Sequence, residues 1–131
     1  MIKYTFFLIL LFATTANAQD VRPSIELAIK HKNAKGGKIP AAVFRLASAL
    51  MLPANEPNRD DCYIQSFYVS IIRKGEVISP YTNEGAKFDT KLLELVKNAK
   101  PGDVFIFDEF KLRCNGTDCF RKIFNLTFRI E

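Results

Sequence analysis

The sequence predicts an α+β domain that is mainly β, an antiparallel β-sandwich-like arrangement of about six strands. One helix over residues 88–99 would cover it, and a second, short helix is predicted near residues 41–46. Three observations carry this prediction: several segments alternate apolar and polar residues, one segment has a helical apolar period, and the chain contains 12 Phe and no Trp. A length of 131 residues suits one domain with a phenylalanine-rich core.

The covering helix is predicted from the segment FDTKLLELVKNA, residues 88–99. Phe88, Leu92 and Val96 recur at four-residue intervals and so lie on one face of a helix. Asp89 is a suitable N-cap, because its carboxylate accepts hydrogen bonds from the first turn. Pro101 cannot continue the helix, so the chain is expected to turn there and enter a strand.

The longest strand is predicted at residues 63–74, where Phe67, Val69 and Ile71 alternate with polar side chains. Shorter strands are expected at residues 25–29, 49–52, 76–79 and 124–130, and Pro40 suits the first turn of the helix at 41–46. Residues 33–38 (NAKGGK) are interpreted as a turn, residues 53–61 as a polar loop, and residues 80–87 as a link to the covering helix.

The strand after Gly102 contains an irregularity. Phe105 and Phe107 share one face, but Phe110 and Leu112 are out of step with them by one residue. A β-bulge at Asp108–Glu109 would return all four side chains to the core. The alternative is a carboxylate pair for acid–base chemistry, but neighbouring residues on a regular strand point to opposite faces, which favours the bulge.

The N-terminus predicts export. Residues 1–18 combine Lys3, an apolar run and the motif Ala16-Asn17-Ala18, which is typical of a signal peptide cut after Ala18. An uncleaved membrane anchor is the alternative. The mature domain, residues 19–131, contains no further apolar run long enough to span a bilayer. A periplasmic or secreted protein is therefore expected.

The charge pattern does not favour a nucleic-acid partner. The formal net charge is +5, but the basic residues are scattered and do not form a dense stripe with aromatic platforms. His31 is the single histidine, so neither a metal site nor a catalytic triad has its usual members. The sequence therefore predicts no enzyme, no cofactor and no metal.

Three cysteines indicate disulfide chemistry in an oxidising compartment. Cys114 and Cys119 flank the hairpin signal Asn115-Gly116, which favours a Cys114–Cys119 disulfide that closes this hairpin. Two reduced thiols or a metal site are the alternatives. Cys62 would then be a buried small side chain or a thiol that pairs between chains, and the oligomeric state stays open.

Four motifs together resemble a known family. They are a Gly-Gly-Lys-Ile element (36–39), a long strand with a Gly hairpin (67–75), a helix ending in Ala-Lys-Pro-Gly (87–102) and a final Phe-rich hairpin (107–130). Over residues 20–131 the chain resembles the C-terminal domain of GldM/PorM, a periplasmic component of gliding motility and type IX secretion in Bacteroidetes. The resemblance implies a non-enzymatic, β-rich domain that works by protein–protein contact.

Two departures limit what is carried over from the family. GldM-like proteins have an N-terminal transmembrane helix and further domains before this one, whereas a signal peptide is predicted here. Their last hairpin usually lacks cysteines. Membrane anchoring and energy coupling are therefore not transferred to this chain.

The predicted function is an exported protein–protein interaction module linked to gliding or type IX secretion machinery, whose partner is not identified. The rigid hairpin tip is the expected binding surface. Its candidate residues are Arg113, Asn115, Gly116, Thr117, Asp118 and Arg121. The alternatives are a secreted inhibitor or effector, or a small-ligand-binding sandwich with a pocket lined by Tyr63, Tyr68 and Tyr81.

Overall fold

The computed structural model describes residues 25–29, 33–52, 61–78, 80–115, 117–119 and 125–131. These residues form ten strands and two helices. The strands are β1 (Glu26–Ala28), β2 (Asn33–Ala34), β3 (Gly37–Ile39), β4 (Ala49–Met51), β5 (Cys62–Arg73), β6 (Glu76–Val77), β7 (Tyr81–Glu84), β8 (Val104–Cys114), β9 (Thr117–Cys119) and β10 (Leu126–Ile130). The helices are α1 (Ala41–Phe44) and α2 (Thr90–Lys97).

The strands form two sheets. One has three antiparallel strands in the order β2–β1–β4. The other has seven strands in the order β3–β10–β8–β5–β6, with β7 also on β5 and β9 also on β8. The pairing of β3 with β10 is parallel, so the large sheet is mixed and not wholly antiparallel.

The predicted fold class, α+β and mainly β, is confirmed, but the strand count was too low. Four short strands lie where turns or links were predicted: β2 and β3 in the segment NAKGGK, β7 in the link before α2, and β9 in the last hairpin. Short strands without apolar alternation carry little local signal, because their partners elsewhere in the chain define them.

The core lies on one face of the large sheet. Phe67, Val69 and Ile71 of β5 are at most 1% exposed, as the alternation predicted. Phe105 and Phe107 of β8 lie beside them and are fully buried. Helix α1 contributes Phe44, whose ring centroid is 4.6 Å from that of Phe105, and the three-stranded sheet contributes Leu27 and Leu50.

Helix α2 covers this core as predicted. The Asp89 side chain caps it by accepting a hydrogen bond of 2.9 Å from the Leu92 backbone N–H. Leu92 and Val96 are fully buried, and the Phe88 ring stacks on Phe107 at 5.9 Å between centroids. The helix ends at Lys97, and the Arg45 guanidinium donates two hydrogen bonds to the Ala99 carbonyl just beyond it.

The predicted bulge is confirmed. The register of β5 with β8 shifts between Ser66 and Tyr68, where Ser66 pairs with Lys111 and Tyr68 with Asp108. Glu109 has a φ of 49°, in the left-handed region. The extra residue returns Phe110 and Leu112 to the core side, and Leu112 is 5% exposed.

A buried asparagine organises the approach to α2. Asn83 of β7 is fully buried, and its side-chain amide donates to the carbonyls of Glu84, Gly85 and Lys87. Its side-chain oxygen accepts from the Asp89 backbone N–H at 2.9 Å. The amide thus replaces the apolar side chain expected at an inward position of a strand and satisfies backbone groups that would otherwise be unpaired.

The predicted Cys114–Cys119 disulfide is wrong in its choice of partner, because Cys114 is bonded to Cys62. The strand register explains why Cys62 is the partner of Cys114. Cys62 and Cys114 lie directly opposite each other on β5 and β8, with their Cα atoms 4.0 Å apart. Cys119 of β9 pairs instead with Leu112, two positions along β8.

Candidate protein-interaction site

One end of the β5–β8 pair presents an aromatic and a cationic side chain beside the disulfide. Tyr63 and Arg113 are cross-strand partners, one register position from Cys62–Cys114. Tyr63 is 60% exposed although it belongs to a long central strand. The Arg113 Nε donates a hydrogen bond of 3.3 Å to the Gln65 side-chain oxygen, so its guanidinium lies along the same face.

The structure brings only part of the predicted tip together with this pair. Asn115 is exposed, has a φ of 48° and donates its backbone N–H to the Asp61 carbonyl at 3.0 Å. Thr117 and Asp118 belong to β9, and Asp118 pairs in register with Arg113. Gly116 and Arg121 lie outside the described residues.

Tyr63 lies beside the predicted tip residues but was not among them, because the sequence placed it in the alternative ligand pocket. Its sequence signal is its position next to Ile64, which is 4% exposed and faces the core. Adjacent strand residues point to opposite faces, so Tyr63 has to point outward. We name Tyr63, Gln65, Arg113 and Asn115 the hairpin end and keep this name below.

The three tyrosines proposed for a ligand pocket do not converge. Tyr68 pairs with Thr82, whereas Tyr81 pairs with the core residue Val69, so Tyr68 and Tyr81 lie on opposite faces of the sheet. A cavity of about 230 Å³ does adjoin the hairpin end. Its lining includes Tyr63 but neither of the other two, and it is otherwise formed by Leu50, Met51, Leu52, Cys62, Ile64 and Ala86.

The carboxylate pair at the bulge was the one acid–base alternative drawn from the sequence. Burial and the neighbouring Glu109 carboxylate raise the pKa of Asp108 above its ordinary value. Glu109 is exposed, and Asp108 faces away from the phenylalanine core beside Tyr68. Within the described ranges, no three His, Cys, Asp or Glu residues are grouped closely enough to hold a metal ion.

A comparison with protein families identifies the fold. Residues 22–131 match the family model of the GldM C-terminal domain. The chain belongs to this family. This match confirms the resemblance seen in the motifs. The GldM C-terminal domain family is periplasmic and is associated with gliding motility and type IX secretion. No curated protein matches the sequence.

Two features of this GldM C-terminal domain concern its helices and its disulfide. Neither helix in the described part of the domain is both long and apolar enough to cross a bilayer. The disulfide Cys62–Cys114 is of the kind that forms in oxidising compartments such as the periplasm.

Proposed function

We propose that this protein is an exported, non-enzymatic interaction module of gliding or type IX secretion machinery. In this proposal it is cut after Ala18 and binds a protein partner through the hairpin end. The observation that carries the proposal is the pairing of exposed Tyr63 with Arg113 beside a disulfide. Tyrosine and arginine are among the residue types that dominate binding energy in protein interfaces.

Rigidity supports the hairpin end as the binding surface. Tyr63 and Arg113 lie on two paired strands whose backbones are joined by Cys62–Cys114, one position away. A surface that is already ordered loses less conformational entropy on binding. The exposed tyrosine adds a large, rigid and amphipathic contact area.

The test uses a photo-reactive amino acid in place of Asn115, introduced into the chain in its native host. We expect cross-links to a component of the gliding or type IX secretion machinery. Tyr63→Ala should lower the cross-linked yield about thirtyfold, since hot-spot truncations cost about 2 kcal/mol or more. N-terminal sequencing of the same sample should begin at Gln19.

Leu46→Ala is the matched control, because Leu46 is an apolar side chain of similar exposure, 54%, that lies outside the hairpin end. Its yield should equal that of the unmodified chain. Equal losses for both variants would contradict the proposed surface. Cross-links to a protease would instead favour the secreted-inhibitor alternative.

A further inference from the structure

The large sheet has a second face, opposite its phenylalanine core. Along β5 and β8 the residues that alternate with the core phenylalanines point to this face. We define the outer face as Tyr68, Ser70, Ile72, Val104, Ile106 and Asp108, all of them half-buried. The pairings Tyr68 with Asp108, Ser70 with Ile106 and Ile72 with Val104 arrange these side chains in three adjoining rows.

Two of the three rows are largely aliphatic. Ile72, Val104 and Ile106 adjoin one another, and Val77 of β6, opposite Ile72, is 58% exposed. The solvent side of an antiparallel sheet is normally polar, in alternation with an apolar core side. Adjoining aliphatic side chains on that side are typical of an interaction surface, whereas single exposed ones are not.

The third row contains a carboxylate that lacks a partner. The Oδ1 atom of Asp108 is inaccessible to solvent and accepts no hydrogen bond, and it is the one buried side-chain N or O atom in the described part of the chain with this property. The two ion pairs found among those residues join Lys35 to Glu26 and Arg73 to Asp103. A buried polar atom without a partner is destabilising and calls for an explanation.

The bulge accounts for the position of this carboxylate. Asp108 immediately precedes Glu109, whose left-handed backbone forms the bulge, so two acidic side chains follow each other at the rim of an aliphatic surface. Bulges commonly redirect side chains next to functional sites. Because Asp108 as a whole is only half-buried, a cation can approach its carboxylate from the solvent side.

We propose that the outer face binds a protein segment that presents an arginine or lysine among aliphatic side chains. The cation pairs with the Asp108 carboxylate, and the aliphatic side chains cover Ile106 and its neighbours Ile72 and Val104. This inference rests on the proposed interaction role and adds a second surface with a defined partner chemistry. The hairpin end, by contrast, presents the exposed aromatic side chain of Tyr63 and lacks this carboxylate.

A cation explains the site better than a neutral donor does. Hydrogen bonds between ionised partners are roughly twice as strong as neutral ones. A positive charge on the open side of the carboxylate also compensates for the hydration that its buried oxygen has lost. The aliphatic stem of arginine or lysine packs on apolar surface, which matches the surrounding row.

Three capped pentapeptides serve as probes, in which valine alternates with arginine, with serine or with glutamate. Each is titrated into the isotope-labelled protein at low salt, and amide NMR shifts are followed. The arginine peptide should shift the amides of the outer face and bind roughly fivefold more tightly than the serine peptide. The glutamate peptide should bind most weakly. Equal binding of the three peptides, or shifts confined to other regions, would overturn the proposal.

Asp108→Asn removes the charge but keeps the shape of the side chain. The arginine and serine peptides should then bind with about equal affinity, since the ionic contribution is lost. Glu94→Gln is the matched control, because Glu94 is an exposed carboxylate on α2, away from the outer face. An unchanged preference in Asp108→Asn, or an equal loss in Glu94→Gln, would contradict the assignment.

The outcomes separate this inference from the proposed function. Tyr63→Ala should leave the shifts caused by the arginine peptide unchanged, because Tyr63 is not part of the outer face. Asp108→Asn should leave cross-linking from position 115 unchanged. Failure of the peptide titration with intact cross-linking rejects the outer face alone, whereas the reverse result rejects the hairpin end alone.

Discussion

The two ends of the β5–β8 pair are closed in different ways. At one end, Cys62 and Cys114 join the strands covalently, and exposed side chains surround the bridge. At the other end, the Arg73 guanidinium donates to both oxygens of the Asp103 carboxylate, at 2.9 and 2.8 Å. Asp103 is 2% exposed, whereas Tyr63 at the first end is 60% exposed.

The difference shows that one strand pair can be closed by a polar network at one end and by a covalent bridge at the other. Asp103 also accepts from the Lys100 backbone N–H, and its own carbonyl accepts from Ile130, so its network ties β8 to β10 and to the turn after α2. In this network both oxygens of the Asp103 carboxylate already accept hydrogen bonds. A covalent bridge fixes the backbone while Tyr63 and Asn115 beside it stay exposed.

Removal of the disulfide should cause the largest loss of stability. The bridge spans 52 residues of sequence, and closing a loop of this length is expected to stabilise the fold by about 4 kcal/mol through the unfolded state. The double variant Cys62→Ala/Cys114→Ala should lose about that amount in urea unfolding. Cys119→Ala should keep the bridge, which peptide mapping of the unreduced protein can verify. A bridge lost in Cys119→Ala would contradict the pairing of Cys62 with Cys114.

The second-largest effect is expected at the opposite end. Asp103→Ala removes the acceptor of three hydrogen bonds and leaves the guanidinium of Arg73 and the Lys100 N–H without this partner. The free energy of unfolding should fall by about 2 kcal/mol, less than for a fully buried ion pair, because the Arg73 side chain is 33% exposed and can be rehydrated. Asp61→Ala is the control, since Asp61 is an exposed carboxylate at the disulfide end. A similar loss in both variants would mean that the two ends do not differ in this respect.

These two contacts also show where sequence reasoning reached its limit. The cap of α2 by Asp89, the alternation of β5 and the bulge at Glu109 were all predicted, because each depends on residues close in sequence. The role of Asp103 was not predicted, since its partner Arg73 is 30 residues away. The disulfide was assigned to the nearer pair for the same reason. Partners distant in sequence become visible once strand register is known.

The same limit applies to the candidate site, of which the sequence predicted one part. The hairpin signal at Asn115 was found in the sequence, and its exposed position agrees with it. The proposed place of Tyr63 in this site depends on its pairing with Arg113, which only the β5–β8 register defines. The unpartnered carboxylate of Asp108 likewise needed atomic positions, although the bulge that contains it was predictable.

Acid should weaken the ion-pair end selectively. The hydrogen bonds from Arg73, followed by that from the Lys100 N–H, lower the pKa of Asp103 against the opposing effect of burial. A carboxyl group whose pKa is lower in the folded state adds stability above its unfolded pKa of about 3.9, and this stability is lost as the pH falls through the folded value. Unfolding followed between about pH 5 and pH 2 should therefore show a loss that Asp103→Asn reduces. An identical pH dependence in Asp103→Asn would rule out this carboxyl group as the source.

The smallest effect is expected for the exposed hydrogen bond at the disulfide end. Gln65→Ala removes the acceptor of the Arg113 Nε, but both side chains lie near solvent, so water replaces the lost partner. The free energy of unfolding should change by no more than about 0.5 kcal/mol. Cross-linking from position 115 should nevertheless fall, because Gln65 belongs to the hairpin end and its own contribution to that surface is lost. A stability loss comparable to that of Asp103→Ala would show that the hairpin end is a structural network like its opposite. Lost cross-linking with unchanged stability would support its use for binding.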